Sequence, residues 1–324
     1  MLELDFLNII NSTLSNNLLL GHDCAYLSDL NIAITQDNLI EDVHFSLSTT
    51  SAYQLGKKSI SVNLSDLAAF GSSPKYISIG LAIPSYINKS FISKFYQGIN
   101  HQCSEYNLQV TGGDITSSKD KLFISICAIG VPINKNFLPL RNNSKVGDII
   151  LTTGYHGSSA LGFAILNNQL SNNYFSDEEK QEFILSHLEP EPQIQKSNIL
   201  MCNISQPISM MDSSDGLADA LFKLATNSNT SFIVDLNKVP ISDKLKKLNN
   251  YMDFLLFGGE DYQLVFTVSK EDFHKLDKHL FFEIGYVSDK VANSPVILKD
   301  NDKNFIINDK IFNERTFNHF KDSI

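Results

Sequence analysis

GKKSISVNLSDLAAFGSSPKY, residues 56–76, reads as a helix that stops at Gly71, shortly before Pro74, and then as a strand beginning at Tyr76. Outward from it, strands are expected at 32–36, 76–83, near 108–112 and at 121–131, with a second helix at 89–106. Ser90, ahead of Phe91, Phe95 and Ile99, reads as the N-cap of that helix. After the turn-like NKNFLPLRNNSKVGD (134–148) the pattern restarts. ILTT (150–153), a helix through SSALGFAILN (158–167), ISMMD (208–212), GLADALFKLA (216–225) and SFIVDL (231–236) follow. QLVFTVS (263–269), a charged helix over 270–279 and FFEIGYV (281–287) complete the alternation. The chain therefore reads as two α/β or α+β domains joined near residue 140, one over 1–140 and the other over 141–324.

Composition narrows the function classes. With 324 residues, 43% of them hydrophobic, the chain has material for two ordinary cores. Its four cysteines, Cys24, Cys103, Cys127 and Cys202, form no C-x-x-C pair, so they read as reduced thiols of a cytoplasmic protein. No apolar run approaches bilayer length, and the acidic start MLELDFLNII is unlike an export signal. A net charge of −10 disfavours nucleic acid and anionic membranes as partners. Anionic ligands would then need neutralising by something other than Lys and Arg.

The placement of the aspartates suggests what that is. Asp23 lies in GHDCAYL (21–27), Asp37 follows IAITQ (32–36), Asp66 is in NLSDLAAFG (63–71), Asp114 ends VTGGD (110–114), and Asp212 and Asp215 are in MMDSSDGL (210–217). Alone, each reads as a turn former or helix cap. Six of them at the ends of apolar runs point instead to hard oxygen ligands for Mg²⁺, which binds carboxylates together with substrate phosphates. Neither the P-loop nor the dinucleotide glycine fingerprint is present. Two glycine pairs, Gly112-Gly113 and Gly258-Gly259, are either tight turns or places where backbone N–H groups meet phosphate oxygens. His44 reads equally as a core residue or a ligand contact, and His101, His274 and His279 as solvated helix-face residues.

GHDCAYL, TQDNLIEDVHF, the opening stretch, VTGGDITSS, VGDIILTTGYHGSSALGFAIL, HLEPEPQI, MMDSSDGLADAL, FGGEDYQLVFTV and IGYV, taken in this order, resemble the thiamine-monophosphate kinase family over nearly the whole length. The resemblance implies a two-domain PurM-like fold of the aminoimidazole ribonucleotide synthetase kind, with N-terminal sheets pairing in a homodimer. It implies ATP-dependent phosphorylation of thiamine phosphate with several Mg²⁺ ions. Carried over by position, the implied metal ligands are Asp23, Thr35, Gln36, Asp37, Asp66, Asp114, Asp212 and Asp215, with Asp23, Asp37, Asp66 and Asp114 central to catalysis. Implied ATP contacts are Tyr96, Gly113, Asp114, Arg141 and Ser214, and implied substrate contacts are His44, Glu260 and Phe317. His22 stands where the family has a further aspartate, and Gln36 where it commonly has a small hydroxyl residue.

Two other readings remain at this level. Another ATP-dependent synthetase of the same architecture is one; selenophosphate synthetase fits poorly, because no reactive Cys or Lys sits in a glycine-rich N-terminal segment. A silent nucleotide- or metal-binding protein is the other, and the retained aspartates argue against it.

Overall fold

The computed structural model describes residues 3–15, 21–170, 174–301 and 303–317. Helix α1 (Glu3–Thr13) precedes a sheet of β1 (Ala25–Leu27), β2 (Ile32–Ile40), β3 (Ser72–Pro84), β4 (Gln109–Ser118) and β5 (Phe123–Pro132), in the order β1-β2-β5-β3-β4. The β3–β4 pair is parallel and the others antiparallel. Helices α2 (Ala52–Ala69) and α3 (Lys89–Glu105) connect its strands. Along β5 every second residue is buried, Ile124, Ile126 and Ala128 facing the core, which is the period-2 signature of a sheet covered on one face.

A second sheet of β6 (Ile149–Thr152), β7 (Ser209–Asp212), β8 (Ser231–Asp235), β9 (Leu264–Val268), β10 (Phe282–Ser288), β11 (Val296–Asp300) and β12 (Lys303–Ile307) has the order β12-β11-β8-β10-β6-β9-β7. Around it lie α4 (Ser158–Leu166), α5 (Asp177–Leu188), α6 (Ile194–Asn203), α7 (Leu217–Asn227), α8 (Tyr251–Phe257), α9 (Lys270–Phe273) and α10 (Asp309–Arg315). Residue 140 falls in the connection between the sheets, yet one apolar core crosses it. Leu55, Leu64 and Phe70 of the α2 region share a cluster with Met201, Met210, Leu264 and Phe266 of the second half.

The reason is α2. A capping box of Ser51 and Gln54 starts it, and Gly71, at φ +61°, ends it in the left-handed conformation that suits glycine. Almost every residue between is buried, including Lys58, Ser59, Ser61, Asn63 and Ser65. A helix covered all round carries its polar side chains into the interior, where each must find a partner.

Several expected details differ: β3 begins at Ser72 rather than Tyr76, and β2 and β4 continue past Asp37 and Asp114 to Ile40 and Ser118. The N-cap of α3 is Asn88, whose Oδ1 accepts the Phe91 N–H at 2.9 Å, because the helix begins before Ser90. The charged segment 270–279 forms a single helical turn, α9. There the buried Asp272 carboxylate accepts from Ser205 N and Oγ at 3.0 and 2.7 Å, tying the segment to the end of α6. His274 and His279 accordingly lie outside any helix. Among the described residues no helix is long and apolar enough to cross a membrane, and all four cysteines are free thiols.

Candidate active site

Three aspartates from three parts of the chain meet between the sheets. Asp23 comes from the loop before β1, Asp66 from the last turns of α2 and Asp212 from the end of β7, and one carboxylate oxygen of each lies within 4.8 Å of the others. Thr35 Oγ1 donates to Asp66 Oδ2 at 2.5 Å, while Ser65 Oγ and Ser214 Oγ donate to Asp212 at 2.5 and 2.9 Å. Arg141 spans Asp23, with Nη2 2.9 Å from Oδ1 and Nε 3.3 Å from Oδ2. His22 Nδ1 accepts the Arg141 backbone N–H at 3.3 Å, so the residue that departs from the family pattern helps seat the arginine.

Charge is short of balance in this cluster. Burial, and then the fields of Asp37, Asp212 and Asp23, push Asp66 well above the carboxylate range. Burial and Asp23 push Asp212 up to about 7, and burial with Asp215 pushes Asp37 up to about 6. Arg141 is held charged: burial opposes it most, but Asp23, Asp212 and Asp66 together outweigh burial. A set of hard oxygens that retains protons for want of positive charge fits a divalent cation such as Mg²⁺.

Motif loops of the second half are bound to one another beside the cluster. Glu260 N donates to Ser214 O at 2.7 Å, and Ser213 N to Gln263 O at 2.8 Å. Gly259 is required there, since a Cβ would stand 2.7 Å from the Ser214 carbonyl. Asp261, which no sequence signal singled out, accepts Gly157 N and Ser159 N at 2.5 and 2.9 Å and so caps α4. Burial pushes it up to about 7 against the pull of those N–H groups.

The other implied residues are placed unequally. Thr35 and Asp37 face α2, and Asp37 N bonds Asn63 Oδ1 at 3.1 Å. Gln36, one residue away on the strand, is thrown to the opposite face, where its Nε2 donates to Ser125 Oγ at 3.1 Å; its side chain does not join the cluster. Asp114 is also apart. Register aligns it with Gly80, Ser125 and Asn38, the face turned away from α2. From β2 to β4 there are three strand spacings, roughly 14 Å in all.

Gly113 lies within β4 at φ +156°, where a Cβ would meet the Ile79 carbonyl at 1.7 Å, so this glycine serves close strand passage, while a Cβ at Gly112 would meet nothing within 4 Å. Tyr96 is on α3, edge-on to Phe95, whose carbonyl packs at Gly56 of α2; from there α2 rises about 15 Å to Asp66. Asp215 is paired with Lys223 at 3.3 Å.

On the substrate side, His44 Nδ1 accepts the Ile40 N–H at 3.1 Å, and its field reaches Glu260. Phe317 follows α10 and is 55% exposed, so it does not fill a core position. Arg315, two residues earlier, bonds Asp253 at 2.6 Å and lies over the Phe257 ring at 4.0 Å, anchoring this end of the chain near the Gly258-Gly259 turn.

This fold and site define a class. Residues 21–132 match the N-terminal domain, and 145–296 the C-terminal domain, of AIR synthase related proteins, a two-domain PurM-like architecture. Within that class the chain belongs to the thiamine-monophosphate kinase family. It is 38% identical to the thiamine-monophosphate kinase of Bacillus subtilis over 88% of this chain and 87% of the relative. The structure described as AaThiL complexed with AMPPCP and TMP superposes with a TM-score of 0.80 at 30% identity, covering 94% of this chain and 96% of that one. Thiamine monophosphate kinase from Aquifex aeolicus gives 0.79 at 30% identity, covering 92% and 97%.

Proposed function

We propose that this chain transfers the γ-phosphoryl group of ATP directly to a phosphate oxygen of thiamine phosphate, producing ADP and thiamine diphosphate. The observation that carries the reading is the Asp23–Asp66–Asp212 cluster, oxygen-rich and short of positive charge, with Arg141 against it. Asp23, Asp37, Asp66, Asp212 and Asp215, with Thr35 beside them, would hold Mg²⁺ ions, which supply charge neutralisation for the polyphosphates when bound. Arg141 and Ser214 border the cluster and are suited to ATP oxygens.

The acceptor needs no catalytic base. A phosphate monoester has its second pKa near about 6, so its oxygen is largely ionised at neutral pH. The protein's part is then positioning, with His44, Glu260 and Phe317 orienting the thiamine portion. A carboxylate and an aromatic ring suit a cationic heteroaromatic group.

Asp114, Gly113 and Tyr96 act, on this reading, within a homodimer. Nine consecutive residues of β4 are exposed along an open sheet edge, and Asp114 is too far from its own cluster to share a metal with it. A partner's N-terminal sheet would cover that edge and bring a second Asp114 to the site. Free thiols and an acidic surface accord with a cytoplasmic enzyme.

Product analysis tests the reading. Protein, ATP, Mg²⁺ and thiamine phosphate should yield ADP and thiamine diphosphate, with thiamine a poor acceptor because its alcohol needs a base. Efficient phosphorylation of thiamine, with thiamine phosphate inert, would overturn it.

A further inference from the structure

Lys58 is only 1% exposed, on the face of α2 turned toward the second half of the chain. Its neighbour Lys57 points elsewhere, to Glu189 at 2.5 Å. Lys58 Nζ lies 3.0 Å from Glu260 Oε1, and His187 Nδ1 lies 3.2 Å from Glu260 Oε2. The two carboxylate oxygens are thus held from two elements, α2 and α5. Ser159 Oγ, 3.1 Å from the same His187 nitrogen, holds the ring in turn. Glu260 itself has φ +64° and Tyr262 φ +50°, conformations that side-chain-bearing residues adopt only when surrounding contacts enforce them.

A lysine buried in this way needs an explanation. A Lys–Glu pair is poor value as a stabiliser once both charges lose water, and such pairs are better explained by the geometry they impose. Here the imposed geometry is that of a carboxylate still 30% exposed, beside the phosphate-handling cluster.

We propose that Lys58 and His187 are positioning residues for thiamine-phosphate recognition, clamping the two oxygens of Glu260 so that its remaining lone pairs face the cationic part of the substrate. This rests on the reading of Glu260 as a substrate contact. The clamp spans both halves of the chain, so the docking of α2 against the second sheet sets the acceptor site as well as the metal site. His187 acts as a neutral donor, because burial and then Lys58 push it down to about 4. Burial works against the Glu260 charge, but the Lys58 ammonium beside it holds it ionised.

The test is a comparison of steady-state constants for Glu260→Gln, Lys58→Met, Lys58→Arg, His187→Leu and His187→Asn, with melting temperatures alongside. Lys58→Met and His187→Leu should each raise KM for thiamine phosphate about tenfold, the scale of one lost charge-assisted bond, with KM for ATP changed less than about twofold. Asn places a donor where His187 Nδ1 lies, and Arg keeps the cation, so both should recover much of that loss. Lys58→Met added to Glu260→Gln should cost little more than Glu260→Gln alone.

If Glu260→Gln raises KM for thiamine phosphate while Lys58→Met and His187→Leu do not, the clamp is wrong and the substrate role of Glu260 stands. If Glu260→Gln leaves that constant unchanged, the substrate role fails and the clamp with it. A parallel rise for both substrates that neither Arg nor Asn reverses also overturns the proposal. Should Lys58→Met not fold, the His187 pair decides the question alone.

Discussion

Arg141 grips Asp23 through two nitrogens, Nη2 at 2.9 Å and Nε at 3.3 Å, so the guanidinium beside the aspartate cluster is oriented by one of the carboxylates it neutralises. A planar fork achieves this and an ammonium does not. Arg141→Lys should raise KM for ATP by roughly tenfold or more while leaving KM for thiamine phosphate nearly unchanged. Equal changes for both substrates would remove Arg141 from the ATP side of the site.

Asp66→Asn should nearly abolish turnover without unfolding the protein. The folded state raises the Asp66 pKa, so in EDTA the fold binds its proton more tightly than the unfolded chain does. Its stability therefore falls as pH rises above the unfolded value of about 4. Asparagine carries no such charge. The melting temperature of the variant minus that of wild type should accordingly grow from pH 5 to pH 8 in EDTA and shrink when Mg²⁺ is added. A difference independent of pH would mean that Asp66 is not held in an acidic cluster.

Asp114→Asn should also be inactive, but for a different reason if the residue serves the partner's site. Mixing unfolded Asp66→Asn and Asp114→Asn chains and refolding them together should restore about a quarter of wild-type activity. Half of the dimers are then mixed, and each contains one intact site. Absence of recovery, with mixed dimers demonstrated, would place Asp114 in its own chain's site.

His156 is fully buried, with Nε2 2.8 Å from Thr152 Oγ1 and Nδ1 without a hydrogen-bond partner among the described residues, and burial pushes it down to about 3. A histidine with a lowered folded pKa leaves stability intact above its unfolded value of about 6.5 and erodes it as pH falls below that. The slope approaches about 1.4 kcal/mol per pH unit for one group. His156→Gln should flatten the loss of melting temperature between pH 6.5 and 4.5, whatever its effect at pH 7.5. An unchanged acid slope would show that His156 is not buried neutral.

The sequence by itself determined the elements and the chemistry. Gly71 and Pro74 stop α2, 121–131 reads as a strand, and six aspartates at the ends of apolar runs signal a cation site, because these depend on local propensity and spacing. Long-range packing decided the rest. Pleating sends Gln36 away from Thr35 and Asp37, strand order carries Asp114 three strands from Asp37, and α2 between two sheets turns Lys58 inward to Glu260. Asp261 sits in the same motif as Glu260 yet caps α4, since the α4 N-terminus is brought to it from a hundred residues earlier in the chain. Spacing along a chain sets which residue types can do chemistry; which of them share a site depends on how distant surfaces are covered, and only the assembled core sets that.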